Sequence, residues 1–168
     1  EKSCCNGWNS CYWLSGRTAT PTRTMNLSEA GLDLIKRHEQ CRLAAFRPTH
    51  NDVPTIGWGH TKGVSMGDTC TQAQADAWLQ EDLVDAENCV SAAISLPLTS
   101  GEYAALVSLV YNIGCGAFRG STLLKCILDA DMDGAALQFA RWNKQAGHEL
   151  AGLTRRRAEE AQLFESTA

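Results

Sequence analysis

The sequence predicts an α+β fold in which a small antiparallel β lobe and a larger helical lobe flank a cleft. Three observations predict it. Apolar spacing is helical up to residue 41, then turns β-prone and glycine-punctuated over residues 42–65. From residue 71 the period is helical again, and two capping boxes, Thr71 with Gln74 and Thr99 with Glu102, open long apolar-faced segments. A chain of 168 residues with 44% hydrophobic side chains holds the core of one domain, with room for a short appendage.

The appendage is residues 1–25, an irregular lead rich in Cys, Ser, Thr and Gly that carries Trp8 and Trp13, and residues 26–168 form the domain. Asn26 reads as the cap of the first helix, with Glu29 completing a capping box and Leu27, Leu34 and Ile35 on one face. That helix ends near Glu39 to Cys41. Val53, Thr55 and the run Ile56-Gly57-Trp58-Gly59, punctuated by Pro48 and Pro54, give two or three short strands. The helix opened by Thr71 reaches about Val90, with Ala75, Trp78, Leu79 and Leu83 on its apolar side. The one opened by Thr99 runs through Tyr111 and is apolar enough to be central to the core. Shorter helices follow near 121–129, 132–144 and 154–165. A cleft between two such lobes is a natural substrate groove.

The net charge of −4 is uneven: residues 63–102 hold seven acidic side chains and no Lys or Arg, which reads as a solvated helix face. That balance argues against a nucleic-acid partner, which would require a basic face. No apolar run approaches the ~18 residues of a membrane span. Residues 1–23 lack the apolar stretch of a secretory signal, so export would depend on a segment outside this chain. The eight cysteines (Cys4, Cys5, Cys11, Cys41, Cys70, Cys89, Cys115 and Cys126) contain no CxxC pair, and no histidine stands near them at zinc-ligand spacing. No metal is expected. An even, widely spaced set points to disulfides in an oxidising compartment, with several buried free thiols as the alternative. Cys89 and Cys115 fall on consecutive core helices and are placed to staple them.

The chemistry lies in His38-Glu39-Gln40-Cys41-Arg42-Leu43-Ala44-Ala45-Phe46, followed by Thr55-Ile56-Gly57-Trp58-Gly59-His60-Thr61. A carboxyl at the end of an amphipathic helix, beside a sheet, is partly desolvated. Desolvation favours its protonated form, as a general acid for a glycosidic oxygen requires. Alone, a glutamate in such a place is more often a surface or salt-bridged residue. The surrounding pattern reverses those odds. It resembles the phage-type lysozymes of glycoside hydrolase family 24, the endolysins and prophage muramidases. Their motif runs Glu-Gly-x-Arg-Leu-x-Ala-Tyr and continues into Thr-Ile-Gly-Tyr-Gly-His-Thr. Tyr111-Asn112-Ile113-Gly114, Ser121-Thr122-Leu123-Leu124, Trp142-Asn143-Lys144 and Gly152-Leu153-Thr154-Arg155-Arg156-Arg157 extend the likeness, which covers about residues 26–165.

The resemblance implies a lysozyme-like fold and cleavage of peptidoglycan glycan strands between N-acetylmuramic acid and N-acetylglucosamine. It implies no cofactor, since this cleavage needs only acid, base and positioning. The partner is the bacterial cell wall, reached from a secreted or periplasmic location by a phage- or prophage-encoded monomer. The implied catalytic residues are Glu39 and Thr55. The family's middle residue, Asp or Cys, is missing: nine positions after Glu39 stands Pro48. Asp52 is the nearest carboxylate in this loop, either orienting water with Thr55 or stabilising the turn Thr49-His50-Asn51-Asp52. An inverting hydrolase holds its carboxyl groups roughly 6.5–9.5 Å apart to admit a water. Without a second carboxylate the sugar's own 6-hydroxyl attacks, making a lytic transglycosylase, and a catalytically inactive peptidoglycan-binding protein is the third reading.

Supporting residues follow by the same resemblance. His60 is expected to pair with Asp82 rather than to catalyse. Arg157 is expected to approach Glu39, with Arg156 as its competitor. Trp58 is a stacking surface for a sugar ring, and Asn112, Ser121 and Thr122 are sugar hydrogen-bonding candidates. Cys41, two residues after the acid, is a candidate to pair with Cys4, Cys5 or Cys11 and so constrain the site, as cysteines near this place do in some exported endolysins.

Overall fold

The computed structural model describes residues 25–49 and 52–166. The irregular lead expected over residues 1–25, and with it Cys4, Cys5 and Cys11 as partners of Cys41, lies outside the described residues apart from Met25. The elements in order are α1 (Glu29–His38), β1 (Arg42–Phe46), β2 (Thr55–Gly57), α2 (Gln72–Ala93), α3 (Ser100–Ile113) and α4 (Cys115–Arg119). They are followed by α5 (Thr122–Leu128), α6 (Met132–Gln138), a 3-10 turn (Phe139–Trp142), β3 (Lys144–Gln145), β4 (His148–Glu149) and α7 (Ala151–Phe164).

Ser28, not Asn26, caps α1, its Oγ accepting from the Gly31 amide at 3.3 Å. The entry is fixed by tertiary contacts: the Leu27 amide donates to Glu87 at 2.9 Å, and a Cβ on Gly31 would stand 2.7 Å from Ala104. The glycine lets α1 lie close against α3. It stops at Glu39, which takes an extended conformation and hands the chain to β1.

The β lobe is small. Strands β1 and β2 pair antiparallel with Arg42 opposite Gly57 and Phe46 opposite Thr55, the register slipping between them. A third line of backbone joins through Ala44 and Thr69, with the Ala45 and Cys70 amides bonded to Asp68 and Leu43, both at 2.9 Å. Gly57 has φ 64, and a Cβ there would meet Ala75 of α2 at 3.1 Å, so the position requires glycine on both counts.

Both expected capping boxes are present, at Thr71/Gln74 and Thr99/Glu102. Helix α3 is the axis of the larger lobe: Gly101 and Tyr103 through Val110 are all buried, against α1, α2 and α7. Helix α2 has 22 residues and touches both β2 and α3, tying the two lobes together. Cys89 and Cys115 are bonded, with Cα atoms 5.9 Å apart. The bridge joins α2 to the first residue of α4, with α3 between them in sequence, rather than two consecutive helices. Helix α4 and the hairpin β3–β4 were not foreseen. The hairpin turns through Ala146 (φ 50) and Gly147 (φ 83), both left-handed, and alanine in the first place is a poor signal for such a turn. No helix of the described residues is long and apolar enough to cross a membrane.

Candidate active site

Glu39 occupies the junction of α1 and β1, the point where the helical lobe meets the β lobe. Its backbone amide still donates to Ile35 at 2.9 Å, while its side chain, 23% exposed, reaches a cleft of about 250 Å³. Trp58, Gly59, Thr61, Lys62, Asp82, Tyr111 and Asn112 line the rest of that cleft. A helix C-terminus is a poor place for a negative charge. The counter-charge comes from α7.

The sequence placed Arg157 against Glu39, and the structure corrects this to Arg156. Its Nη1 donates to Glu39 at 2.5 Å, its Nε to Glu160 at 3.0 Å and its Nη2 to the Ser108 carbonyl at 3.3 Å. Adjacent helix residues point about 100° apart, so only one of the two arginines can face α1. Arg157 turns inward instead, donating to Glu160 at 2.5 Å and to the Asn112 side-chain oxygen. It is almost fully buried, which pushes its guanidinium below the usual range, partly offset by the Glu160 charge. Glu160 has no exposure at all and accepts a third hydrogen bond, from the Ser108 hydroxyl at 2.7 Å.

The opposite wall is the Ile56-to-His60 turn. Ile56 and His60 exchange two backbone hydrogen bonds at 2.9 Å, and Gly59 adopts φ 117 between them. Tyr111 of α3 donates its hydroxyl to the Trp58 carbonyl at 3.0 Å, fastening the turn to the helical lobe. Burial, then the nearby Glu39 and Asp82 charges, raise the Tyr111 hydroxyl far above the usual range, so it remains a neutral donor. His60 lies with Nδ1 2.8 Å from Asp82 and Nε2 3.0 Å from the Lys62 carbonyl, and it stacks on Trp78 at 4.9 Å. Trp58 donates its indole N–H to Asp76 at 2.8 Å, and Lys36 sits 5.4 Å from its ring centre. Bonds from Lys36 and Trp58 hold the Asp76 carboxyl below its ordinary value.

The other expected site residues are dispersed. Asn112 lines the cleft, but its oxygen is already taken by Arg157. Thr55 is nearly buried, with its hydroxyl donating to the Val53 carbonyl at 3.1 Å. Asp52 is exposed, and its amide closes a turn onto Thr49 at 3.2 Å. Neither lines the Glu39 cleft. Ser121 and Thr122 border a separate pocket of about 480 Å³ with Gln138, Arg141 and Trp142. There the Ser121 hydroxyl is occupied as the cap of α5, accepting from Leu124 at 3.0 Å. Cys41 is half-buried, its thiol 3.7 Å from Gln72. Among the described residues no group of His, Cys, Asp or Glu is arranged to hold a metal.

A family model described as "Phage lysozyme" matches residues 36–160, which include Glu39, the turn at Trp58 and all of the Arg156–Glu160 cluster. The chain belongs to the phage lysozyme family. It is 43% identical over 146 residues to an endolysin of Acyrthosiphon pisum secondary endosymbiont phage 1, covering 84% of this chain and 99% of that one. To the endolysin of Bacillus phage PZA it is 40% identical over 145 residues, spanning 84% of this chain and 56% of that longer protein. Among solved structures, the muramidase domain of SpmX from Asticaccaulis excentricus superimposes with a TM-score of 0.79 at 35% identity, covering 84% of this chain and 98% of that one. The lysozyme fold accounts for the two-lobed cleft. Sequence reasoning about this phage-type lysozyme missed Glu160 and Ser108. Ser108 is a polar residue inside the apolar stretch of α3, Glu160 is hidden in the charged run of α7, and the i, i+4 spacing of Arg156 and Glu160 was the available signal.

Proposed function

We propose that this phage-type lysozyme hydrolyses the β-1,4 bond between N-acetylmuramic acid and N-acetylglucosamine with Glu39 as the general acid. Glu39 gives a proton to the departing glycosidic oxygen as the bond breaks. The water-orienting role goes by family resemblance to the Thr55 hydroxyl and to Asp52, the nearest carboxylate on the loop that leads into β2, although neither lines the cleft in this structure. Trp58 offers its ring to a sugar, and His60 with Asp82 keeps the turn beneath that ring in place. The protein acts as a monomer on the bacterial wall, phage- or prophage-encoded and secreted or periplasmic, and has no nucleic-acid partner.

One observation carries this reading: Glu39 is the carboxylate at the junction of the lobes whose side chain reaches the cleft, and Arg156 fixes where that side chain points. The test is clearance of permeabilised bacterial cells by wild type, Glu39→Gln and Asp52→Ala, with mass spectrometry of the released muropeptides. Retained lysis by Glu39→Gln removes the acid. If Asp52→Ala stays within a few-fold of wild type, Asp52 is a turn residue. Pro48 in the family's carboxylate position favours one second reading, transglycosylation. Products lacking the added water would establish it.

A further inference from the structure

Glu160 lies one layer behind the cleft and touches nothing that reacts. Its carboxylate has no exposure and accepts from the Ser108 hydroxyl, Arg156 Nε and Arg157 Nη1. Each arginine sends one further nitrogen toward the cleft, Arg156 Nη1 onto Glu39 and Arg157 Nη2 onto Asn112, while Arg156 Nη2 holds the Ser108 carbonyl. Helical spacing makes this possible, because positions three and four residues apart share a face and one carboxylate meets both guanidiniums. We propose that Glu160 is a positioning residue for glycan cleavage, its single buried carboxylate holding Arg156 against Glu39 and Arg157 against Asn112.

Two physical reasons support it. Neighbouring buried cations repel, and a carboxylate between them is what allows both to stay desolvated. A guanidinium is also a rigid fork, so anchoring Arg156 at Nε fixes where its Nη1 points. The Glu160 side chain meets both guanidiniums, so it opposes the pair of positive charges set behind Glu39. Other groups reach the same space: Tyr111 from α3, Asp82 from α2 with His60 beside it, and Lys62 from the loop after β2. His38, at the end of α1, is turned to Glu159 at 3.1 Å instead. None of these touches Arg156 in place of Glu160.

The inference rests on Glu39 being the acid, so the experiment carries Glu39→Gln as a control. Soluble glycan strands are the substrate for Glu160→Asp and Glu160→Gln at 25 °C, with native fold checked by circular dichroism. Glu160→Asp keeps the charge but retracts it by a methylene, and is expected to lower kcat roughly ten-fold with KM within about two-fold. Glu160→Gln keeps the shape and loses the charge. It is expected to lower kcat and to move the alkaline limb of the pH–rate profile down by about one unit. A purely stabilising role would lower Tm and leave kcat and that limb unmoved. A folded variant with kcat within two-fold of wild type and an unchanged limb overturns the proposal. Should Glu160→Gln fail to fold, Glu160→Asp alone decides. An active Glu39→Gln would remove the acid itself, and this inference with it; an inactive one beside wild-type-like Glu160 variants would remove only this inference.

Discussion

Arg156→Met is the substitution whose outcome follows most directly from the geometry. The arginine side chain is 4% exposed and gives one hydrogen bond each to Glu39, Glu160 and the Ser108 carbonyl. Removing one partner of a buried ion pair costs about 3–5 kcal/mol, because the remaining charge stays buried without compensation. Here compensation is partial. Glu160 keeps Ser108 and Arg157, and Glu39, 23% exposed, regains water. Methionine fills most of the vacated volume, so no large cavity is added. The expected loss is therefore the lower figure, about 3 kcal/mol, or a fall in Tm of roughly 10 °C for a domain of this size. Urea and thermal unfolding at pH 7 measure it. Arg156→Lys should fall between, since one ammonium cannot bridge two carboxylates as the guanidinium fork does. The deficit should persist in about 0.5 M salt, because buried pairs are screened much less than surface ones. A change in Tm under about 2 °C would refute the reasoning and make Arg156 a solvated surface charge.

Three further outcomes are expected. Replacing Cys89 and Cys115 by alanine opens a bridge with a sequence separation of 26, which loop-closure entropy values at roughly 3.5 kcal/mol, visible as a lower urea midpoint without loss of the folded spectrum. Gly101→Ala would place a Cβ 2.4 Å from the Leu163 carbonyl, so α3 and α7 must separate, with an expected cost of about 1–3 kcal/mol in unfolding experiments. Asp76 is held below its ordinary value of 3.8 chiefly by the Lys36 bond, so its contribution is full above that pH and fades as pH falls through the lower folded value. Wild type should therefore exceed Asp76→Asn in Tm at pH 7 and converge with it near pH 2; a gap that widens on acidification would contradict this sign.

Much of the architecture was legible because it is written in local signals. Both capping boxes lie within four residues of chain, and the apolar faces of α2 and α3 repeat at helical spacing. The glycines of the Ile56-to-His60 turn likewise announce backbone that other residues adopt poorly. Where signals competed, the sequence misled. Asn26 and Ser28 are both sound caps, and the helix takes Ser28, while the Leu27 amide beside Asn26 is drawn to Glu87 instead. The hairpin at Ala146 was hidden by a residue that rarely takes its φ.

By itself, then, the chain determined its elements, its family motif and the position of Glu39 at a helix end, since each depends on neighbours within a few bonds or turns. The tertiary structure alone decided which of three consecutive arginines meets Glu39. It also decided that Asn112 is engaged by Arg157 and that Glu160 stands behind the site. The physical reason is distance along the chain. Glu39 and Arg156 are separated by 117 residues, and no local preference encodes which face of α7 will turn toward α1 once both helices pack against α3.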